Sequence, residues 1–327
     1  MLATPASEER SVKKVSPLRT FRSRCGLPLL VVAFGVICGW RLAHVIRTGS
    51  EPYRQYSLRV TRRLVATVME AKRLLATQGD RAFPILDDMR SRHPGLYLYV
   101  YRREDGLCVY HGNNPDWVGR RLDTFTDELG KNVHELINAQ LENPRNPHGW
   151  VHYHWHRPHG LFLEWKSSCN RPVTLPDGTA CYVGCGLHGL GTELEFARIA
   201  VTEAEYLLTT RGEQALAELL SPASVFFFYG TAVFVLRSDG TSIIDPVLKT
   251  RQERDLGSYQ DAVGRYPFRF LLRRLAESSE AQVILYQHSP TSMNVQKKML
   301  YARTCRMGDE RVIVGTVIDA PRSVWQR

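Results

Sequence analysis

The sequence lacks the short motifs that mark common catalytic and cofactor sites. Its 327 residues contain no H-E-x-x-H, no G-x-S-x-G and no P-loop. No C-x-x-C-H haem attachment sequence occurs either, since "CGLH" at Cys185 to His188 lacks the second cysteine. Carboxylates are scattered, and Asp105 and Asp239 each precede a glycine in a predicted hairpin turn. We therefore predict that the protein is not an enzyme and that it uses no cofactor.

Cysteine is scarce and odd in number. Of the seven cysteines, Cys25 and Cys38 lie in an apolar N-terminal run. Cys169 and Cys181 flank a loop that contains proline and Asp-Gly turn signals. One interpretation is a disulfide across that hairpin, and the other is a pair of small buried side chains.

Acidic residues are almost absent from the N-terminal segment. The first 24 residues carry Glu8 and Glu9 against six lysines and arginines, and residues 25–40 are an uncharged apolar run. A membrane span needs about 20 mostly apolar residues, and "LAHVI" extends the run to Ile46 if Arg41 snorkels to the interface. No A-x-A cleavage site follows the run, which argues against a cleaved signal peptide.

These features predict an uncleaved signal anchor at residues 25–46 behind a basic cytoplasmic tail at residues 1–24. The protein would then be a single-pass protein of the cell inner membrane with most of its chain in the periplasm. A net charge of +10 is typical of a protein that binds an anionic partner. In this location the partner is the membrane, and nucleic acid is not expected.

The chain repeats itself. "EAKRLLATQGDRAFPIL" from Glu70 reappears as "EAEYLLTTRGEQALAEL" from Glu203, at an offset of 133 residues. "YVYRREDG" and "FVLRSDG" are offset by 134 residues, as are "DELGK" and "DAVGR". A near-constant offset across separate blocks predicts two copies of one domain.

Each copy predicts the same order of elements. Apolar residues at i, i+3 and i+4 spacing predict a long amphipathic first helix, which Gly79 and Gly212 are expected to end. A hairpin, a short helix and, in the first copy, three more strands follow. The helix positions are Leu64, Val65, Val68, Ala71, Leu74 and Leu75 in one copy and Ile199, Ala200, Ala204, Leu207 and Leu208 in the other. This order predicts an α+β fold in which each copy has an antiparallel, PAS-like sheet.

Residues 111–187 resemble the single-Cache-domain family of extracytoplasmic sensor modules. The motifs that carry this resemblance are "YVYRREDG", "HGNNPDWVG", "DELGK", "GWVHYHW", "LEWKSS" and "YVGCGLH", in that order. The match covers nearly all of residues 51–190, and the second copy matches more loosely. The resemblance implies tandem Cache domains at residues 47–190 and 191–327.

The departures from the family pattern fall mainly in the second copy. In the first copy, Gly112 replaces a proline and His188 replaces a closing aromatic residue. In the second copy, Asp245 stands where the first has His111, and Val317 replaces the final glycine. The second copy has also lost the Trp-containing strand, since "QVILYQHSP" keeps only Tyr286. The first copy is therefore the one expected to keep a ligand pocket.

The resemblance implies a short organic acid as the ligand. It places His111 and Lys166 at the polar positions of the pocket, and a carboxylate needs such cationic or N–H donors. Lys166 can alternatively point to solvent, and the aromatic residues can be plain core. The residues that could form the pocket walls are Tyr99, Tyr101, Trp117, Tyr153 and Trp155.

The stretch "GWVHYHWHRPHG" allows three interpretations. In a strand, His152, His154 and His156 share one face, and Tyr153 and Trp155 share the other. Imidazoles at this spacing can bind a metal, with His159 as a further ligand, or form a pH-sensitive patch. The interpretation we favour is a solvated outer face of an antiparallel sheet.

Together these observations predict a membrane-anchored extracytoplasmic protein that senses or captures a small organic acid. No kinase, methyl-accepting or cyclase sequence is recognised in the 327 residues, so output through a partner receptor or kinase is expected. The alternatives are an interaction protein whose Cache domains no longer bind ligand, and a metal-binding protein that uses the histidine strand.

Overall fold

The computed structural model describes residues 53–92, 95–156, 162–191, 193–289 and 294–320. These residues all belong to one compact unit. The predicted tail and anchor at residues 1–46 lie outside the described residues. Within the described ranges, no helix is both long enough and apolar enough to cross a bilayer.

The first repeat combines helices with a five-stranded antiparallel sheet. Its helices are α1 (Arg59–Gln78), α2 (Phe83–Arg92) and α3 (Val133–Leu141), with short 3₁₀ turns at Gly79–Ala82 and Pro115–Trp117. Its strands are β1 (Leu98–Arg102), β2 (Cys108–His111), β3 (Val151–His156), β4 (Leu163–Thr174) and β5 (Ala180–His188). The sheet order is β2-β1-β5-β4-β3, so the chain forms a hairpin and then a meander that returns to β1.

The second repeat has the same sequence of elements. Its helices are α4 (Leu194–Arg211), α5 (Ala215–Leu220) and α6 (Pro267–Glu277), with a 3₁₀ turn at Gly212–Gln214. Its strands are β6 (Val233–Arg237), β7 (Ser242–Ile244), β8 (Glu280–His288), β9 (Val295–Met307) and β10 (Glu310–Asp319). The sheet order is β7-β6-β10-β9-β8. The predicted α+β fold with two PAS-like sheets is confirmed, whereas the exact domain boundaries stay predictions.

The repetition extends to individual hydrogen bonds. The Asp127 carboxylate accepts from the backbone N–H groups of Lys131 and His154. The Asp261 carboxylate accepts in the same way from Arg265 and Tyr286. Each aspartate thus ties the loop before a short helix to the first strand of a meander, which explains why "DELGK" and "DAVGR" occur at matching positions.

Both long helices end as their sequences predict. Gly79 and Gly212 have φ of 61° and 58°, a left-handed conformation in which a side chain would be strained. Their N–H groups donate to the carbonyls of Leu75 and Leu208. α1 packs on β4 and β5, and α4 packs on β9 and β10, so the apolar stripe of each helix covers one face of its own sheet.

The junction between the repeats caps α1. Glu193 is fully buried, and its carboxylate accepts from the N–H and hydroxyl of Ser57 and from the N–H of Leu58, each at 2.8 Å. Free N–H groups at a helix start favour a negative charge. The start of the second repeat therefore stabilises the first turn of the long helix of the first.

The cysteines do not pair as one interpretation suggested. Cys169 lies opposite Cys185 in the β4–β5 ladder, and Cys181 lies opposite Val173. All five cysteines among the described residues are free and buried. The predicted disulfide between Cys169 and Cys181 is wrong, because the register of β4 and β5 does not place these two residues opposite each other. The alternative, small buried side chains, is observed.

Candidate functional site

The outer face of the first sheet, which faces away from α1, carries a dense cluster of aromatic side chains. Alternation along the strands brings Tyr99 and Tyr101 of β1 to the same side as Tyr153 of β3 and Tyr182 of β5. The loop between β2 and α3 adds Trp117 and Phe125, both of which contact Trp155. We call this face the aromatic cage; its members are Tyr97, Tyr99, Tyr101, Trp117, Phe125, Tyr153, Trp155 and Tyr182.

Lys166 lies inside the aromatic cage. It is 2% exposed, and its Nζ donates to the hydroxyl of Tyr97 at 2.8 Å. The ammonium lies 4.8–5.6 Å from the ring centres of Tyr97, Tyr99, Tyr153 and Trp155. Within the described part of the chain, its contacts are thus a phenol and aromatic faces rather than a carboxylate. A buried ammonium without a negative partner is costly, so the site favours an anion.

His111 lies against the aromatic cage. It is 7% exposed, and its ring centre lies 5.2 Å from that of Tyr97 and 6.5 Å from that of Trp117. Burial, and next the charge of Lys166, lower its pKa to about 4, so the imidazole is neutral at pH 7. The N–H of Asn114 donates to Nδ1 at 3.0 Å, which assigns the imidazole proton to Nε2 and makes that nitrogen a donor.

Two glycines of β5 make room for the site. A Cβ on Gly186 would lie 2.5 Å from Cε of Lys166, and a Cβ on Gly184 would lie 2.5 Å from the ring of Tyr99. The lysine and the tyrosine therefore lie flat across β5. The hydroxyl of Tyr99 donates to Asn170 at 2.9 Å, which fixes the ring in place.

The structure brings most of the predicted site residues together. Tyr99, Tyr153 and Trp155 lie around the ammonium of Lys166. His111 stacks beside Tyr99, and Trp117 lies against His111 and Trp155. Tyr101 belongs to the same cluster, but it stacks on Tyr182 at 5.7 Å rather than on Lys166.

Sequence reasoning missed Tyr97, Phe125 and Tyr182. Tyr97 precedes β1 by one residue and supplies the direct hydrogen bond to Lys166. The alternation of Tyr97 with Tyr99 and Tyr101 could have identified it. Phe125 lies in an irregular loop, so no periodicity in the sequence marks it.

The predicted solvated face of the histidine strand is wrong at His152, whereas His156 is exposed. His152 is 8% exposed, and its ring packs 4.6 Å from Phe196 and 5.0 Å from Phe228. Its Nδ1 lies 2.8 Å from the hydroxyl of Ser167. Burial, and next the charge of Lys131, lower its pKa to about 3. The start of α4 and residues 226–229 cover this face, which sequence periodicity alone does not reveal.

A metal site on this strand receives no support from the geometry. His154 Nδ1 lies 2.9 Å from a Glu128 carboxylate oxygen, His152 is bound to Ser167, and His156 is exposed. Among the described residues, no group of three or more His, Cys, Asp or Glu side chains is placed to hold a metal ion. His159 lies outside the described residues.

No family model and no curated protein matches the sequence. Solved structures that the fold is similar to include a methyl-accepting chemotaxis protein from Vibrio parahaemolyticus (21% identity, TM-score 0.30, covering 38% of this chain and 81% of that one). Another is a Cache chemosensory domain described for carboxylic acid recognition (16% identity, TM-score 0.29, covering 37% and 84%).

A third is the ligand-binding domain of the Pseudomonas aeruginosa amino acid chemoreceptor PctB in complex with L-Arg (10% identity, TM-score 0.26, covering 78% and 85%). The descriptions of these neighbours name a chemotaxis protein, a Cache chemosensory domain and a chemoreceptor ligand-binding domain. At these TM-scores, the function of this chain has to follow from its own residues.

Proposed function

We propose that the first repeat binds a short carboxylic acid in the aromatic cage and that the protein is a small-molecule sensor or binding protein. The observation that carries this proposal is the buried ammonium of Lys166, which contacts no carboxylate of the described residues. A ligand carboxylate would neutralise that charge where the surrounding protein does not.

The second donor is His111. The neutral imidazole has its proton on Nε2, and both it and Lys166 border Tyr97. A carboxylate bound between the ammonium and Nε2 would receive two hydrogen bonds, one of them charge-assisted. The aromatic walls favour a small apolar body behind the carboxylate and exclude water.

The test is ligand-dependent stability of the full chain in detergent micelles. Acetate, lactate, succinate and alanine are titrated, and the unfolding temperature should rise with the concentration of the preferred acid. A ligand that binds only the folded state adds about 2.7 kcal/mol at 100 times its Kd. Failure of every acid and of alanine to stabilise the protein would contradict the proposal.

Variants locate the binding. Lys166→Gln should weaken the binding of the acid at least tenfold, the approximate effect of losing a charge-assisted hydrogen bond, and His111→Gln should weaken it less. Lys298→Gln is the matched control, because Lys298 has the same register position in the second sheet. Equal affinities of wild type and Lys166→Gln for the acid would place the ligand elsewhere.

We further propose that residues 25–46 anchor the chain in the inner membrane and that the sensor region is periplasmic. The support is the basic segment followed by the apolar run. Alkaline phosphatase fused after Arg327 should be active, whereas a cytoplasmic reporter at the same place should not. Output through a receptor or kinase is part of this proposal, and crosslinking of the intact protein in membranes tests it.

A further inference from the structure

A cavity of about 840 Å³ opens on the second repeat. It lies beside β8, β9 and β10 and includes Lys298, the counterpart of Lys166. The loop after β7 contributes Lys249, and the segment before β6 contributes Tyr229. The volume is within the range of small-molecule sites.

The cavity wall carries two lysines, Lys249 and Lys298, and two aspartates, Asp261 and Asp319. Lys298 forms an ion pair with Asp319, and Lys249 donates to the carbonyl oxygen of Gly230. Burial, and next the charge of Lys298, lower the pKa of Lys249, so the two ammoniums act on one another. The other carboxylate in the wall, Asp261, already accepts from backbone N–H groups. Lys249 thus contacts a carbonyl oxygen rather than a carboxylate, and an anion fits beside its ammonium.

Two wall residues have an unusual backbone conformation. Tyr229 and Lys249 have φ of 51° and 54°, where side chains other than glycine are disfavoured. The Tyr229 hydroxyl lies 2.8 Å from the Ser167 hydroxyl and accepts from the N–H of Leu190 at 3.0 Å. Lys249 donates its own N–H to the carbonyl of Asp245. Such strained positions are typical of ligand sites.

The rest of the wall combines polar, aromatic and small apolar side chains. Its side chains include Thr231, Gln260, Gln287 and Gln296, with Tyr259 and Tyr286. Amides and hydroxyls in this number match a ligand that carries many hydroxyl groups. The surroundings of Lys166, by contrast, are mainly aromatic and contain no glutamine of the described residues.

We propose that this cavity is a second ligand site that binds an anionic polyol, a sugar acid or a sugar phosphate. Lys298 and Lys249 contact the anionic group, and the glutamine and tyrosine side chains bind the hydroxyl groups. The site is separate from the aromatic cage and does not depend on a ligand there.

The test is calorimetric titration of the full chain in detergent micelles with gluconate, glucose 6-phosphate and neutral glucose. At least one of the two anions should bind, and glucose should bind at least tenfold more weakly, since it lacks the charge that the lysines recognise. Binding of gluconate alone or of glucose 6-phosphate alone would identify the anionic group. Absence of binding of both anions at millimolar concentrations would overturn the proposal.

Substitutions separate this site from the first. Lys298→Gln and Lys249→Gln should each weaken anion binding about tenfold or more, whereas Lys166→Gln should leave it unchanged. Lys297→Gln is the matched control, because it removes the same charge from the neighbouring position, which faces the other side of β9. An equal loss in Lys297→Gln and Lys298→Gln, or no loss in either cavity variant, would overturn the proposal.

Discussion

Lys166 and Lys298 occupy the same position in the two repeats, each opposite the last residue of the closing strand. Next to Lys166, Gly186 leaves space for the side chain to lie across the sheet into the aromatic cage. The equivalent of Gly186 in the second repeat is Val317, and Lys298 turns to the carboxylate of Asp319. The absence of a side chain at Gly186 therefore allows Lys166 to be buried, whereas Lys298 beside Val317 forms a partly exposed ion pair.

The side chains around these two lysine positions also differ between the repeats. Tyr99, which lies over Gly184, corresponds to Phe234 over Gly315, and Tyr153 corresponds to Leu285. Hydroxyl groups that can bind a ligand are therefore replaced by purely apolar side chains. The comparison teaches that the same strand order can carry a buried lysine among aromatic side chains in one repeat and an ion pair beside an open cavity in the other.

The largest expected effect is acid destabilisation of the first repeat. Burial lowers the pKa of His111 and His148 to about 4 and that of His152 to about 3. The unfolded chain, with a histidine pKa near 6.5, binds more protons below that pH, so stability falls as pH drops from about 6.5 towards 4. Each histidine removes up to about 1.4 kcal/mol per pH unit in this window.

Urea unfolding of the full chain at pH 7.5, 6 and 5 measures this loss, and hydrogen exchange locates it. Protection should decrease first in β2, β3 and the residues around His148. Equal acid sensitivity of the two sheets would show that these histidines are not its source.

The second prediction tests whether the residue at the position of Gly186 and Val317 causes the difference between Lys166 and Lys298. Gly186→Val should destabilise the protein by about 1–3 kcal/mol, the usual cost of overpacking, and should abolish binding of the acid because Lys166 is displaced. The matched change, Val317→Gly, should cost about 1–3 kcal/mol through lost packing and backbone entropy. Acid titration and urea unfolding of both variants check this. Full acid binding by Gly186→Val would show that the space over Gly186 is not needed.

The third prediction concerns another matched pair, Lys131 and Arg265. Lys131 is fully buried, and its Nζ donates to the carbonyls of His152 at 2.9 Å and Phe227 at 2.6 Å. Lys131→Met leaves both carbonyls without this donor and should cost about 2–4 kcal/mol. Arg265 is exposed, so Arg265→Met should change stability by less than about 0.5 kcal/mol. Similar urea midpoints for the two variants would contradict this assignment.

The smallest expected effect is at the junction. Glu193→Gln keeps the shape of the side chain that caps α1 but removes its charge, and should cost about 1 kcal/mol. Hydrogen exchange should increase in the first turn of α1 and not in that of α6, which begins with a proline. Unchanged exchange at residues 57–62 would show that the charge of Glu193 does not hold that turn.

Much of the fold could be predicted from the sequence, because it depends on local periodicity. The constant offset predicted two repeats, Gly79 and Gly212 predicted the helix ends, and Asp105-Gly106 predicted a hairpin. The motif order placed His111, Lys166 and Tyr153 at one site. The first three inferences use only the spacing of residue types along the chain, whereas the shared site is what the resemblance to the Cache family implies.

The rest required knowledge of what packs on each surface. The alternation in "GWVHYHWHRPHG" correctly separates His152 from Tyr153, but it does not say that Phe196 and Phe228 cover the histidine side. Likewise, loop length does not reveal that Cys169 lies opposite Cys185. The sequence by itself determined the elements, their order and which residues share a face. Only the tertiary structure decided which faces are buried and that Lys166 lies inside the aromatic cage. The reason is that burial depends on contacts between residues far apart in the chain.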